Sequence, residues 1–551
     1  MHTDPDINYL TKENPFFEIG IESVLGIEMQ VFKNRPKNLG SFIELSKNHD
    51  QNIYLITEHK SISFSEHEKC VIKAMGLLRD KYDVQPGDRV AIYAANCSEW
   101  IIFFWATVSL GAIACGLNGW WNGKEALKAL DDAEPKILLC DKKRFERITD
   151  YKGPYLTFED IDFDLIEHSD VSIHPSDEDD CACLLYTSGT TGSPKGVMTS
   201  HRSMINNTML QLLQGAAVSM RSTRLGTDWT VNKPTSLLTS PLFHVSGLSA
   251  GVVTALFAGT TTYIYEGRFD PQNILRVIDK YKITSWGGAV PTALKRVLDE
   301  APNHNLDYES MLVVGGGGAP MPETLIARTK QIFKNVEHNF GYGYGLTESG
   351  AITVVNWGDD LNNFPRSPGK PMPTIEVKLI DDDGNEIFDD EVEGEICVRS
   401  PSVMLGYYKN QIESKKSLNK DRFLSTGDYG YRKDDLYFIS SRRTDLILRG
   451  AENVYPQEIE ILLDQYDGVA ESAVIGVPHD DLGEEVKAIV VLENNKVTFD
   501  ELELYLKDNL AYFKVPSLWE KKLKSLPRNA SGKVMKHVLI DQSKNNFVED
   551  E

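Results

Sequence analysis

One short segment of the chain carries many groups suited to binding phosphate. Residues 186–196 read Tyr-Thr-Ser-Gly-Thr-Thr-Gly-Ser-Pro-Lys-Gly, which combines glycines, hydroxyl groups and Lys195. Glycines let backbone amides turn toward an anion, and hydroxyl and ammonium groups add further donors. An apolar strand is expected at 183–185, and a helix is expected to begin at Ser200. The segment therefore predicts a loop that wraps a polyphosphate.

Two other interpretations of this loop are weaker. A surface turn rich in serine, threonine and glycine rarely also carries Pro-Lys-Gly. A Walker loop requires a glycine, four residues and then Gly-Lys-Ser/Thr. Here Gly192 is followed by Ser-Pro-Lys-Gly, so the order of residues argues against a Walker loop.

Two segments in the middle of the chain have residues suited to an acid and a nucleotide. His244 lies in Pro-Leu-Phe-His-Val-Ser-Gly, and four consecutive glycines at 315–318 follow a strand expected at 310–314. Glycines are entropically costly, so their run at a strand end predicts close approach of the backbone to a ligand. Taken alone, His244 would be interpreted as a core residue and the glycine tract as a flexible turn.

Three later segments supply aromatic, acidic and basic groups. The run Gly-Tyr-Gly-Tyr-Gly-Leu-Thr-Glu ends at Glu348, Ser-Thr-Gly-Asp ends at Asp428, and Pro-Arg-Asn-Ala-Ser-Gly-Lys ends at Lys533. A ring can stack on adenine, a carboxylate can hold magnesium or accept from two ribose hydroxyls, and a lysine can offset repulsion between anions. The glycine spacing before Thr347 does not fit a dinucleotide motif. An isolated Lys533 would be interpreted as a surface residue.

Together these segments, spread over about residues 40 to 540, resemble the motifs of the adenylate-forming superfamily. That superfamily contains acyl-CoA synthetases, adenylation domains of peptide synthetases and firefly-type luciferases, and the resemblance is closest to AMP-forming acyl-CoA synthetases. It implies ATP and coenzyme A as co-substrates and Mg²⁺ as the cofactor. The ATP-binding residues that the resemblance implies are Thr187, Ser188, Gly189, Thr190, Thr191, Gly192, Lys195, Gly317, Ala319, Pro320, Tyr342, Gly343, Tyr344, Gly345, Thr347, Asp428 and Arg442.

The resemblance also implies individual roles. Lys533, His244 and Thr347 are the implied catalytic residues, with Lys533 bridging the acid's carboxylate and the α-phosphate and His244 lining the acid pocket. Tyr344 would stack on adenine, Thr347 would donate to phosphate, and Glu348 would hold Mg²⁺. Asp428 would accept from the ribose hydroxyls, and Arg442 would reach the ribose or a phosphate. In the implied reaction the carboxylate attacks the α-phosphorus, pyrophosphate leaves, and a thiol then attacks the acyl-adenylate and expels AMP.

Two departures from the family pattern concern the thiol step. The family hinge is usually Asp or Lys, whereas the aligned residue here is Thr444. The family's Gly-Gly-Glu-Asn segment, which borders the coenzyme A channel, appears here as Gly450-Ala451-Glu452-Asn453, preceded by Arg449. Arg449, Gly450, Ala451 and Glu452 are therefore the predicted channel residues, and Arg449 is a candidate partner for the phosphates of coenzyme A.

The acid is expected to be hydrophobic and most simply a fatty acid. Phe243, Leu248 and Trp286 are the apolar side chains expected in its pocket, and no Asp occupies the place where amino-acid-activating relatives bind an ammonium group. Aryl and sterol-like acids stay open. Two alternative functions also stay open: loading of a carrier-protein thiol, and nucleotide binding without turnover.

Apolar β-branched runs, such as those at 89–93 and 136–140, alternate with helix-length segments and predict an α/β fold with buried parallel strands. A large multi-sheet N-terminal body with a β-rich subdomain is expected over 1–441, a hinge over 442–446, and a small mobile α+β domain over 447–551. A capping-box pattern marks a helix beginning after Thr498. The catalytic lysine would come from the small domain.

Composition limits the partners. The net charge is −23, which argues against nucleic acid because such a partner rewards basic patches. The odd number of scattered cysteines predicts reduced thiols rather than disulfides or zinc ligands. The apolar stretch 100–117 is interpreted as a buried helix rather than a membrane span, and no signal peptide is expected. A cytoplasmic protein is predicted; peripheral membrane contact and a monomeric or homodimeric state stay open.

Overall fold

The computed structural model describes residues 4–167, 169–187, 194–226, 233–318, 321–442, 445, 447–449, 452–479, 483–493, 496–510, 512–529 and 532–540. Within these ranges, two large helix-covered sheets and two antiparallel sheets occupy the N-terminal part, and another sheet follows residue 446. This arrangement confirms the predicted α/β fold, with a multi-sheet body, a β-rich subdomain and a small C-terminal unit. The mobility of that unit stays a prediction.

The first large sheet has parallel strands at its centre and antiparallel strands at one edge. The predicted strands at 89–93, 136–140 and 183–185 all belong to it, and their nearly continuous burial is typical of strands covered on both faces. In spatial order its strands are β21 (Gly406–Tyr407), β10 (Lys195–Ser200), β9 (Cys181–Thr187), β6 (Ile113–Gly116), β5 (Arg89–Tyr93), β7 (Ile137–Cys140) and β8 (Tyr155–Thr157).

The second large sheet is parallel from β3 through β12, β11, β13 and β14 to β15, with antiparallel strands at both edges. In spatial order its strands are β17 (Lys370–Pro371), β16 (Val354–Trp357), β15 (Phe340–Tyr344), β14 (Val313–Gly316), β13 (Ser285–Ala289), β11 (Thr235–Leu238), β12 (Thr261–Ile264), β3 (Ile53–Ile56) and β4 (Ser61–Ser63).

Two antiparallel sheets complete the N-terminal part. An N-terminal hairpin pairs β1 (Ile19–Val24) with β2 (Ile27–Phe32). The predicted β-rich subdomain is the other sheet, in which the strands run antiparallel throughout. Its order is β19 (Glu386–Ile387), β18 (Glu376–Ile380), β20 (Gly394–Arg399), β22 (Leu424–Lys433) and β23 (Leu436–Arg442).

The C-terminal sheet is built on a long hairpin between β26 and β27, and β28 adds to β27 in parallel. Its strands are β24 (Ile447–Arg449), β25 (Glu452–Val454), β26 (Val469–His479), β27 (Gly483–Leu492) and β28 (Leu518–Lys522). Its helices are α15 (Pro456–Gln465), α16 (Phe499–Asn509) and α17 (Lys536–Ile540). The predicted capping box of α16 is formed: Thr498 accepts from the amide of Glu501, whose carboxylate accepts from the amide of Thr498.

The helices of the N-terminal part cover both large sheets. In chain order they are α1 (Pro5–Glu13), α2 (Ser41–Leu45), α3 (Phe64–Gly76), α4 (Ser98–Ser109), α5 (Gly123–Ala133), α6 (Lys142–Phe145), α7 (His201–Arg224), α8 (Val245–Leu248), α9 (Ala255–Ala258), α10 (Pro271–Tyr281), α11 (Pro291–Glu300), α12 (Glu323–Ile332), α13 (Gly358–Asn363) and α14 (Gln411–Ser417).

The apolar stretch 100–117 forms α4 and then β6. Nearly every residue of α4 is buried, and its aromatic rings pack against one another in the main core, as Trp100 does on Phe104. In the part of the chain that the structure covers, none of the helices combines the length and the apolar character needed to cross a bilayer.

Candidate active site

A cavity of about 1850 Å³ opens among the two large sheets, the β-rich subdomain and the C-terminal unit. Residues from segments hundreds of positions apart in the chain line it, and it brings together most of the predicted site residues that the structure describes. Those that line it are Thr187, Lys195, His244, Gly317, Tyr342, Gly343, Tyr344, Gly345, Thr347, Glu348 and Lys533.

Part of the cavity wall is glycine backbone from two neighbouring strands. The strand expected at 310–314 begins three residues later and ends two residues later, because Gly315 and Gly316 pair with Gly341 and Tyr342 as part of β14. A Cβ added to Gly315 would meet no atom closer than 3.7 Å, whereas one added to Gly317 would lie 3.2 Å from the carbonyl oxygen of Gly343. The glycines thus leave an open backbone surface that a planar group can approach closely.

Tyr344 and Asp428 lie together at the side of the cavity. The Tyr344 hydroxyl donates to Asp428 Oδ2 at 2.7 Å, across a gap of 84 residues in sequence. Asp428 is buried in β22, and its neighbours Thr426 and Gly427 line the cavity, although Asp428 itself does not. The backbone of Arg442 pairs with Asp428 at the end of β23. The predicted adenine and ribose ligands are therefore neighbours, as one nucleoside requires.

Glu348 presents a carboxylate to the cavity. It follows Thr347 in a single 3₁₀ turn, Thr347–Ser349, and its Oε1 accepts from the Tyr407 hydroxyl at 3.1 Å. Within the described ranges, His, Cys, Asp and Glu side chains form no cluster of three or more that could hold a metal. A lone carboxylate beside a phosphate site fits Mg²⁺, which usually takes one or two carboxylates together with substrate phosphates and water.

Lys195 begins β10 and points into the cavity. Its Nζ lies 2.7 Å from Glu413 Oε2, on α14, and 5.2 Å from the centre of the Tyr407 ring. Glu413 also receives Lys416 Nζ at 2.8 Å, and both lysines lower the pKa of the Glu413 carboxyl to about 2, Lys195 most strongly. The cavity thus has a cation beside the predicted phosphate loop and a carboxylate that holds it.

His244 lies at the start of α8, with its ring 4.8 Å from that of Phe243. Its Nε2 is shielded from solvent and has no hydrogen-bond partner among the described residues. Burial lowers the pKa of His244 to about 4, so the ring is neutral at neutral pH. A neutral imidazole beside an apolar wall can orient a carboxylic acid by a hydrogen bond without adding charge.

Lys533 reaches the cavity from a tight turn of the C-terminal unit. The Lys533 amide donates to Asn529 Oδ1 at 2.9 Å, and the Asn529 amide donates to the Lys533 carbonyl at 2.9 Å. Gly532 has φ of +77°, and a Cβ there would lie 2.9 Å from Val290 Cγ2 at the start of α11. Glycine is therefore needed on two counts: its backbone angle and its close contact with the N-terminal part.

Some predicted residues lie elsewhere or outside the described residues. Arg449 lies in β24, where its Nη2 donates to Glu485 at 3.0 Å and its Nη1 donates to the Phe513 carbonyl at 2.9 Å. Contact between Arg449 and coenzyme A would therefore require this ion pair to open. The backbone of Glu452 is paired with that of Arg449 between the antiparallel strands β25 and β24. The predicted residues outside the described ones are Ser188, Gly189, Thr190, Thr191, Gly192, Ala319, Pro320, Thr444, Gly450 and Ala451.

The acid pocket differs in part from the expectation. Phe243 lines the cavity, but Trp286 and Leu248 are fully buried in the core. The Trp286 indole N–H donates to Thr239 Oγ1 at 2.9 Å on the core side of β13, whereas Ser285 and Gly287 of the same strand line the cavity. Along α7 the cavity is lined instead by Gln211, Gln214, Gly215 and Val218.

Comparison with known proteins agrees with this geometry. The model of the AMP-binding enzyme family matches residues 43–408, more than half of the chain. The AMP-binding enzyme C-terminal domain matches residues 458–533, which end at the lysine in the cavity.

Similar proteins include several coenzyme A ligases. A long-chain-fatty-acid–CoA ligase of Bacillus subtilis is 31% identical over 84% of this chain and 87% of its own length. A 2-succinylbenzoate–CoA ligase of Bacillus velezensis is 32% identical over 90% of this chain and 96% of its own length.

Solved structures give the same result. The o-succinylbenzoate coenzyme A synthetase of Bacillus subtilis in complex with ATP and magnesium ion has a TM-score of 0.75 at 29% identity, covering 92% of this chain and 100% of that one. ATP-bound MatB from Rhodopseudomonas palustris has a TM-score of 0.79 at 28% identity, covering 92% and 99%. The chain therefore belongs to the AMP-binding enzyme family, the adenylate-forming superfamily, among its AMP-forming acyl-CoA synthetases.

Proposed function

We propose that this protein activates a hydrophobic carboxylic acid, a fatty acid in the simplest case, as an acyl-adenylate and transfers the acyl group to coenzyme A. The observation that carries the proposal is the single cavity in which Lys533, Glu348, Lys195 and His244 meet. These residues supply two cations, a carboxylate suited to magnesium and a neutral imidazole. That set fits the joining of two anions, a carboxylate and a triphosphate.

The adenylation step uses these groups mainly for position and charge. Lys533 bridges the acid's carboxylate and the α-phosphate, which lowers their repulsion as the carboxylate oxygen attacks phosphorus. Lys195 holds the departing pyrophosphate, and Glu348 holds Mg²⁺. When bound, the ion neutralises charge on the phosphate oxygens. His244, uncharged, orients the acid against Phe243.

The nucleoside is held apart from the reacting atoms. Tyr344 offers a ring to adenine, and Asp428, fixed by the Tyr344 hydroxyl, accepts from the ribose. In the second half-reaction the coenzyme A thiolate attacks the acyl carbonyl, and AMP leaves with the electrons of the acyl–phosphate bond. Rotation about Thr444 would bring Glu452 and Arg449 toward the cavity for that step.

A hydrophobic acid is supported by the α7 side of the cavity. Gly215 sits in the middle of α7, and a Cβ added there would meet no atom within 4 Å. Val218 continues the same helix face, and Val313, Val354 and Val355 line the cavity as well. Gln211 and Gln214 of α7 also line the cavity, so this wall combines apolar contact for an alkyl chain with two amide groups.

A panel of acids tests this proposal. The purified protein is given Mg²⁺-ATP, coenzyme A and acids of increasing alkyl length, with 2-succinylbenzoate as an aryl acid, and acyl-CoA and AMP are quantified. We expect equal amounts of acyl-CoA and AMP with alkyl acids. A preference for the aryl acid would overturn the proposed substrate class, and acid-dependent pyrophosphate release without acyl-CoA would favour a carrier-protein thiol as acceptor.

Substitutions at Gly215 locate the alkyl chain. Gly215→Leu should raise KM for long alkyl acids by about tenfold or more while sparing short ones, since a blocked pocket loses burial of about 0.8 kcal/mol per CH₂. Gly215→Ala is the matched control, with a smaller shift, and alanine also favours the helix. Equal loss for short and long acids in Gly215→Leu would place the acid elsewhere.

A further inference from the structure

The Lys195 ammonium group is already held in the cavity by a protein carboxylate. Lys195 Nζ and Glu413 Oε2 are 2.7 Å apart although 218 residues separate them in sequence, and both side chains line the cavity. Their side chains are 16% and 27% exposed, so this pair is partly shielded from water. A phosphate that binds Lys195 has to compete with this carboxylate.

Glu413 has a second cation within reach. Lys416, one turn further along α14, lies 2.8 Å from Glu413 Oε1 and also lines the cavity. The carboxylate can therefore stay paired when Lys195 turns to another anion, which keeps the cost of the exchange small. Since both lysines hold the pKa of Glu413 near 2, its charge persists over the whole range in which the enzyme would be assayed.

The short helix that carries Glu413 is fixed to the metal side of the cavity as well. Ser414, the next residue, accepts from the Tyr407 amide at 2.8 Å through its Oγ. The Tyr407 ring lies under Lys195, and its hydroxyl donates to Glu348 Oε1 at 3.1 Å. Glu413, Lys195, Tyr407 and Glu348 thus form one connected set that spans the predicted phosphate and magnesium positions.

We propose that Glu413 is a positioning residue for adenylation: it holds Lys195 in the cavity before nucleotide binds, yields it to the polyphosphate of Mg²⁺-ATP, and takes it back as pyrophosphate leaves. The inference rests on the proposed function, since it assigns a partner to the phosphate-binding lysine of that reaction. No covalent bond changes in this exchange. Its consequence is that Glu413 weakens the binding of both ATP and pyrophosphate, and thereby aids product release.

Glu413→Gln tests the competition. We expect KM for Mg²⁺-ATP and the inhibition constant of pyrophosphate to fall together, by about two- to fivefold, the range of a partly exposed ion pair. In a Lys195→Ala background, the same substitution should change neither constant. A Glu413→Asp variant, whose side chain is one methylene shorter, should have constants between those of the unmodified protein and those of Glu413→Gln.

Glu386→Gln is the matched control. Glu386 forms a pair of similar exposure with Lys378 at 2.5 Å, on two strands outside the cavity lining. It should leave both constants unchanged. An increase in KM for ATP in Glu413→Gln, or an equal shift in the Lys195→Ala background, would overturn the inference. Absence of any acid-dependent ATP turnover in the unmodified protein would instead contradict the proposed function.

Discussion

The two sides of the cavity are held in different ways. On the N-terminal side, the glycine wall and Tyr344 belong to strands paired within a large sheet over a buried core. On the C-terminal side, Lys533 sits in a turn held by Asn529 and by an ion pair between Arg528 and Glu471 at 3.0 Å, and it meets the other side through Gly532 and Val290. On this ground we propose that the N-terminal side is a fixed frame for the nucleotide and that the C-terminal side moves away after adenylation.

The largest expected effect comes from a substitution on the C-terminal side of the cavity. Lys533→Ala should slow acid-dependent formation of acyl-adenylate by about 10²–10³-fold, because a group that stabilises transition-state charge is lost. Thioester formation from supplied acyl-adenylate should be nearly unchanged. The two half-reactions are measured separately, by pyrophosphate release without coenzyme A and by acyl-CoA formation from the adenylate. Equal losses in both would mean that the two sides act as one rigid unit.

A smaller and different effect is expected from the fixed side. Glu348→Gln removes a carboxylate suited to magnesium and should raise the Mg²⁺ concentration needed for half-maximal adenylation by about tenfold. Tyr407→Phe, which removes only the hydroxyl that donates to Glu348, is the control and should shift this concentration less. If the Mg²⁺ requirement of Glu348→Gln equals that of the unmodified protein, Glu348 is not a metal ligand.

The third effect is on stability rather than on activity and concerns the core of the N-terminal part. His67 in α3 is fully buried beside Tyr54, and neither ring nitrogen has a partner within the described ranges. Burial lowers the pKa of His67 to about 3. Between the ordinary histidine pKa of 6.5 and a pH of about 3, the unfolded state takes up a proton that the folded state does not. The free energy of unfolding therefore falls as the pH falls.

His67→Leu should therefore gain stability relative to the unmodified protein by about 2 kcal/mol between pH 7.5 and pH 5. Denaturant unfolding at the two pH values measures this difference. His338→Gln, at an exposed position, is the control and should show no such gain. If His67→Leu and the unmodified protein differ in free energy of unfolding by the same amount at both pH values, His67 does not stay neutral in the fold.

Local patterns in the sequence predicted much of the frame. The apolar run at 89–93 is a parallel strand, and Thr498 with Glu501 forms the capping box that their spacing indicated. Both features depend on residues close together in the chain. The glycine tract was also identified, but two of its residues belong to β14, because strand pairing with Gly341 is decided by a partner 26 residues away.

Contacts between distant segments were not predictable in this way. The sequence indicated Lys195 as a phosphate ligand, but Glu413 and Tyr407 went unrecognised, since no local signal marks an ion pair across 218 residues. Trp286 was expected in the acid pocket but lies in the core, because the other face of β13, with Ser285 and Gly287, is the one that lines the cavity. The pairing of Tyr344 with Asp428, in contrast, follows the motifs assigned to one nucleoside.

Exchange of labelled pyrophosphate into ATP, with an alkyl acid and Mg²⁺ but without coenzyme A, tests the central claim most directly. That claim is that Lys533 joins the fixed side of the cavity to make an acyl-adenylate. We predict exchange that depends on the acid and is lost in Lys533→Ala. Exchange that persists in Lys533→Ala, or release of ADP and phosphate in place of AMP and pyrophosphate, would contradict it.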